Sequence, residues 1–376
     1  LYDMWNRWER KEKPSLKNGC LENTNNAHPK NFGLYSSGRL EWLDFGKAMG
    51  ILVVLLVHAG CRLGLVTYYG GMFYMPIFFF AAGYTFRRKE EESYGAFLWK
   101  KAKRLLIPYF GTSAFLWLFF YLKDSVLSGN PGDLKIQSLL GILYSRNQMW
   151  QSSYTGENPV LLNLLNSPLW FLTALFLVYA WYGLISKSRR KYQLLMAGLM
   201  ASVIWHYVTP LLLPWSLEAV PYFSCFFAAG EAFRQRDGAQ KLDQDKRLWI
   251  GSFNVFLLLG FVCGSVNLSC GNYGVSMLAY LLVGISGSIV ILMLGALVEV
   301  KLPKVSHLIS LVGQQTLPIL CLHMFVYMFI QAGAMVLGLP EVLQKALMVF
   351  GSMGVLTIIG KICHRKRMDG RTITHV

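Results

Sequence analysis

The sequence predicts an all-α, polytopic membrane protein of about ten transmembrane helices with both termini in the cytoplasm, and three observations predict it. Of its 376 residues, 54% are hydrophobic and only 15% are charged, where a soluble domain carries about 25% charge. The apolar residues gather into ten stretches, each close to the ~20 residues a helix needs to cross a hydrocarbon core. The basic residues fall between those stretches with a strong side bias. If the stretches alternate across a membrane, 30 of the 36 Lys and Arg residues lie on the side of the termini and 5 on the other. That asymmetry places the termini inside.

The ten stretches follow in order. The first covers 43–66, led by Trp42 and Asp44, and the second 69–86. The third, 105–122, follows a basic entry, and the fourth, 168–185, opens on Pro168. The fifth, sixth and seventh are 192–209, 218–233 and 248–266. The eighth is 276–298, the ninth 308–330 with a possible extension to 336, and the tenth 342–362. The sequence therefore divides into a tail, 1–38, a membrane domain, 39–365, and a C-terminal tail, 366–376. The first tail, rich in Asn, Lys and Glu, has the composition of a poorly ordered segment. The first forty residues are polar with no apolar run, so no cleavable signal is expected and the first span must direct insertion. Residue 1 is Leu1, which fits a non-standard start or a fragment.

One loop on the far side is long, 123–167. It contains Gly129, Asn130, Pro131 and Gly132, then a weakly amphipathic patch over 134–144, then Trp150, Tyr154 and Asn163. It reads as an interfacial helix with a connector, or as part of a substrate-facing lid.

The net charge of +16 would suit nucleic acid, but its confinement to short inter-span segments is the pattern of membrane topology. The seven cysteines (Cys20, Cys61, Cys225, Cys263, Cys270, Cys321 and Cys363) make no CxxC pair and no zinc spacing, so neither a disulfide framework nor a metal is expected. Most fall in apolar spans as small hydrophobes, and Cys270 reads as exposed. The phosphate-loop, serine-hydrolase, zinc-protease and dinucleotide motifs are missing, which argues against ATP-driven transport by this chain.

Chemistry-bearing residues form three groups. The first is Asp44, Lys47 and His58. Asp44 and Lys47 are three residues apart and can pair. Lys47 and His58 are eleven apart, which on a helix puts them within roughly 20° of one face and roughly 16 Å apart. A neutral imidazole tolerates burial better than a fixed charge and can act as a base toward a hydroxyl that reaches it. It can equally bond a neighbouring helix and only hold it in place. The second group is Arg87, Arg88 and Lys89, then Lys100, Lys101, Lys103 and Arg104. It reads as positive-inside anchoring at lipid headgroups or as a cradle for phosphate oxygens. The third comprises His206, Glu218, Glu231, Gln314, Gln315, Thr316 and His323, polar groups in or beside apolar spans, which together suggest a wet interior path.

The run from Arg39 to His58, with Trp42-Leu43-Asp44 leading to Lys47 and then His58, resembles the first span of the acyltransferase 3 family of integral-membrane O-acyltransferases. The branch it looks most like contains the fucose 4-O-acetylase-like and polysaccharide acyltransferases. Met75 to Tyr84 is similar to that family's second-span Pro-Phe-Phe-Gly-Tyr pattern. Lys101 and Arg104 match its basic entry to span three, Ser167 to Leu172 its start of span four, and Gly313 to His323 its late Gly…His span. There are departures. Lys47 stands for the commoner Arg, which keeps charge without the bidentate fork. Tyr74 stands where His is frequent, and Ala82 where Ser is usual.

The resemblance implies transfer of an acyl group, most often acetyl from acetyl-CoA or another acyl-CoA, to a hydroxyl of a cell-envelope or exported glycan. The setting it implies is the bilayer of a bacterial inner membrane. It makes His58 and Asp44, the latter orienting Lys47, and secondarily His323, the expected catalytic residues. Lys47, Lys101 and Arg104 become the expected acyl-CoA contacts. Trp170, Phe171 and Tyr74 are the expected sugar contacts. A non-enzymatic exporter of glycan or lipid-linked sugar shares the polar interior and is the alternative, with a sensor or anchoring subunit as a third. The acceptor, the acyl length and the oligomeric state are left open by the sequence.

Overall fold

The structure, a computed structural model, describes residues 40–128, 134–151, 162, 164–236 and 245–372. The expected N-terminal tail, Gly129 to Gly132, Tyr154 and Asn163 lie outside the described residues. Within them every regular element is a helix. Two isolated backbone bridges, Trp150 to Leu211 and Asn267 to Asn272, tie loops together.

Helix α1 spans Glu41–His58. Helices α2, Leu65–Phe73, and α3, Pro76–Tyr84, form one interrupted rod. Helix α4 is Tyr94–Ser128 and α5 is Leu134–Tyr144. Then come α6, Trp170–Ile185, α7, Lys191–Val208, and α8, Val220–Gln235. Helix α9, Lys246–Cys263, passes through a π-helical turn. Helix α10 is Met277–Lys301, α11 Pro303–Gln314 and α12 Thr316–Val336. Helix α13 crosses Glu341–Ile362, again through a π-helical turn, and stays helical to Thr372.

Among the described residues, seven helices are long and apolar enough to cross a membrane. They are the α2–α3 rod, α4, α6, α9, α10, α12 and α13. The three other expected spans are also helical, but shorter or more polar. Helix α1 carries Glu41, Asp44 and Lys47 within 18 residues. Helix α7 opens on Lys191 and carries His206 in its last turn. Helix α8 has 16 residues, about 24 Å of rise.

Several boundaries move from their sequence expectation. The first span stops at His58 rather than continuing to 66, because Gly60 and Gly64 turn the chain with φ of +67° and +56°, values glycine adopts without Cβ strain. The helix of the third span begins at Tyr94 rather than 105, and Lys100, Lys101 and Arg104 lie on it as residues of a helix entering the span, as expected. Glu218 sits in a 3-10 turn, Pro214–Ala219, ahead of α8. The ninth stretch is two helices, parted at Gln315.

Helix α1 is the hub. It packs against α10, α11, α12 and the α2–α3 rod, and Ile51, Val54 and Leu55 along it are fully buried. The helices meet at backbone distance where glycine allows it. A Cβ on Gly313 of α11 would lie 1.8 Å from the Asp44 carbonyl oxygen. Gly83 of α3 and Gly230 of α8 make a reciprocal crossing, their added Cβ atoms falling 1.8 Å and 2.0 Å from the carbonyls of Phe227 and Phe80. Neither carbonyl can swing away without breaking its helix. Gly313→Ala and Gly230→Ala should therefore each cost more than the about 1–3 kcal/mol of ordinary overpacking. Gly354→Ala on α13, with nothing near, should not. Thermal unfolding in detergent checks the contrast.

Candidate active site

Helix α1 begins without a side chain of its own to cap it: Leu40 precedes it and offers none. The free amide of Trp42 donates instead to Glu299 Oε2 of α10, at 3.1 Å. A carboxylate suits the positive end of a helix, so α10 supplies the cap that the local sequence lacks. Glu41 beside it pairs with His307 of α11 at 2.9 Å. One turn on, Lys47 Nζ lies 2.5 Å from Asp44 Oδ1, with Asp44 buried and Lys47 partly exposed. The expected pair is therefore in place at this end of the helix.

His58 occupies the other end of α1, half-buried. Its Nδ1 lies 2.8 Å from the carbonyl oxygen of Val54. A carbonyl only accepts, so the proton belongs on Nδ1 and the lone pair on Nε2. His323 on α12 repeats the arrangement. Its Nδ1 donates to Ile319 O at 2.9 Å and Leu320 O at 3.2 Å, and its Nε2 has no protein partner among the described residues. The two rings face each other with centroids 5.2 Å apart, tilted by 56°. His323 is fully buried. Two residues 265 apart in sequence, both expected to carry chemistry, are thus neighbours, and among the described residues the hydrogen bonds of both rings run through Nδ1.

Two further residues build this site and were not expected from the sequence. Tyr327 donates its hydroxyl to Leu55 O at 2.8 Å and sets its ring edge-on to His323, 5.5 Å away. It therefore pins the last turn of α1 to α12. Its position four residues after His323 is the signal that would have found it, since i and i+4 share a helix face. Asn166, ahead of α6, donates to Cys321 O at 2.6 Å while its Oδ1 has no protein partner among the described residues. Its only sequence signal is a polar amide immediately before an apolar span.

The remaining expected contacts are distributed around α3, α4 and α6. Lys101 is buried, its ammonium 4.2 Å from the centre of the Tyr179 ring and 5.4 Å from that of Phe97. Arg104 is half-buried one turn further along α4. Trp170 and Phe171 begin α6 and pack into the aromatic core. Trp170 lies 6.1 Å from Phe223, and Phe171 lies 5.0 Å from Phe79 and 5.6 Å from Phe78. Tyr74 is half-buried at the break between α2 and α3. The other polar groups do not converge on the histidines. Glu231 binds both Lys191 and the Tyr182 hydroxyl at one end of α8, and Glu218 stands before the other end with Arg146. Cys270 is half-buried, not exposed. Among the described residues no three His, Cys, Asp or Glu side chains converge as a metal would require.

This arrangement offers two imidazoles side by side, each with its Nδ1 committed to a backbone carbonyl, and an ammonium–carboxylate pair three turns from His58 on the same helix. Residues 40–365 match the family described as acyltransferase domain. The match covers most of the chain, and the chain belongs to that family, the acyltransferase 3 family: it is a membrane acyltransferase. No curated protein and no solved structure matches it.

Removing the Tyr327 hydroxyl should loosen the last turn of α1 without opening the bundle, because Leu55 O also accepts from the Ala59 amide. Tyr327→Phe is expected to cost about 1 kcal/mol, read as a small drop in unfolding temperature in detergent.

Proposed function

We propose that this membrane acyltransferase takes an acyl group, most simply acetyl, from cytoplasmic acyl-CoA and places it on a hydroxyl of a cell-envelope or exported glycan. In this reading the ten expected spans cross a bacterial plasma membrane with both termini inside. What supports it is the pairing of His58 and His323 with each Nδ1 committed to a carbonyl, which leaves Nε2 as the proton acceptor.

The step is an acyl transfer between oxygen and sulfur. His58 Nε2 takes the proton of the acceptor hydroxyl, the oxygen attacks the thioester carbonyl, and the carbon–sulfur bond breaks. The imidazolium then returns the proton to the departing thiolate. A variant with the same residues has His58 Nε2 attack first and carry the acyl group to the acceptor. His323, against His58, shares the charge or relays the proton. Lys47, oriented by Asp44, attracts the anionic donor toward α1, and Lys101 and Arg104 bind its phosphate-bearing end. Trp170, Phe171 and Tyr74 supply aromatic faces for the sugar.

Purified protein in lipid nanodiscs with labelled acetyl-CoA tests this. His58→Ala should reduce transfer at least about 100-fold, the usual scale for a lost general base, while the protein stays monodisperse. His323→Ala should slow it less. Unaltered transfer by His58→Ala, or wild-type protein that never consumes acetyl-CoA, overturns the assignment.

Lys47→Ala should raise KM for acetyl-CoA about tenfold, about 1.4 kcal/mol of donor binding, with a smaller effect on kcat. The effect should fade with added salt because Lys47 is partly exposed. Steady-state kinetics at two ionic strengths check it.

A further inference from the structure

Each histidine of the pair bonds a carbonyl of its own helix through Nδ1. That bond fixes the proton on each ring but not the distance between the rings. The distance depends on how the end of α1 sits against α12. Helix α1 stops at His58, and the chain turns away through Gly60 and Gly64. The turn that carries His58 has no further turn to stiffen it, and helix ends fray.

Tyr327 makes contact on both sides of the pair. Its hydroxyl donates to Leu55 O at 2.8 Å, next along the chain from the Val54 carbonyl that holds His58 Nδ1. Its buried ring stands edge-on to His323, the planes at 83°. The same hydroxyl hydrogen-bonds with the side chain of Ser352 on α13, which is fully buried. One side chain thus touches the helix end that bears one imidazole, the ring of the other, and a third helix. That third helix is irregular at this point. The π-helical turn of α13, Leu347–Gly351, ends one residue before Ser352 and packs against both α1 and α12. Such turns are frequent at functional sites.

We infer that Tyr327 is a positioning residue for acyl transfer, its hydroxyl and its ring together setting the spacing and tilt of the two imidazoles. The inference rests on the transfer reading above, which puts the proton transfer at His58. Tyr327 acts through the histidines, because its own proton is engaged with Leu55 O. Misplacing a reacting group by 1 Å through a change outside the chemistry can cost about 100-fold in rate. Hydroxyl and ring are separable: phenylalanine keeps the ring and loses the pin, and leucine loses both. Lys47 lies three turns away, at the end of α1 that Glu299 caps, so donor binding is left alone.

The test combines two readouts on protein in lipid nanodiscs. The first is steady-state consumption of labelled acetyl-CoA. Tyr327→Phe should lower kcat about tenfold and Tyr327→Leu about 100-fold, with KM for acetyl-CoA held within about twofold. Tyr222→Phe removes another buried hydroxyl bond, to Met277 O at 2.7 Å, and should leave kcat unchanged. The second readout is solid-state NMR of isotope-labelled histidines, with His58 and His323 assigned by the signals lost in His58→Ala and His323→Ala. Wild type should show one Nδ1-protonated form of each ring and a ring-to-ring contact. In Tyr327→Phe the His58 signal should broaden or divide, and the contact should weaken. Unmoved kcat in Tyr327→Phe, an equal fall in Tyr222→Phe, or histidine signals identical to wild type overturns the inference. Wild type that never consumes acetyl-CoA overturns the transfer reading instead, and the NMR comparison still decides whether Tyr327 holds the pair.

Discussion

Hydrocarbon around a helical bundle offers no hydrogen bonds, so every polar atom in the spans must find a partner inside the chain or face a ligand or water. That constraint explains most of the unusual contacts. Helix α1 has no local N-cap, and Glu299 reaches across from α10 to supply one. Glu231 serves Tyr182 and Lys191 together. The hydroxyl of Tyr222 goes to the backbone of Met277, and that of Ser288 to the carbonyl of Gly284. Twelve buried side-chain atoms among the described residues keep unused capacity, His323 Nε2 and Asn166 Oδ1 among them, and others such as the Tyr280 hydroxyl and Ser306 Oγ lie elsewhere in the bundle. His323 is set apart from these by the second imidazole beside it, that of His58.

The same constraint separates what the sequence revealed from what it concealed. Helical class and a membrane setting were legible, because they follow from summed apolar length and from where Lys and Arg fall. His58 and His323 draw notice in the sequence as polar residues in apolar runs, and the fold sets their rings side by side. The helix break after His58 was concealed: Gly60 and Gly64 look like ordinary span glycines until their φ values are known. The split at Gln315 was concealed because the polar run through Thr316 reads as part of one continuous span. Tyr327 and Asn166 were concealed for a different reason. Their roles depend on which carbonyl lies opposite, at Leu55 and Cys321, and no pattern within one helix specifies a partner on another.

Lys101 shows the limit of charge as a guide. Four basic residues at the entry to α4 look alike in the sequence. In the fold Lys101 is buried over the ring of Tyr179, while Lys103 lies exposed over Trp99. Buried cation–π contact is the stronger kind, so Lys101 ties α4 to α6 whatever else it binds. His58 and His323 make the opposite point. Their separation in the chain is large, yet each fixes its own proton through a carbonyl three or four residues back, and tertiary packing need only bring the two faces together.

The reciprocal glycine crossing of α3 and α8 has a consequence for biosynthesis. Gly83 and Phe227, the two sides of that contact, emerge from a ribosome moving at about 5–20 residues per second roughly 7–30 s apart. Through that interval the first half of the protein sits in the bilayer with a backbone-deep groove and nothing to fill it. Lipid tails are too mobile to replace a carbonyl seated against a glycine. The contact of α3 with α8 therefore forms only once α8 arrives, with α9 to α13 still to follow.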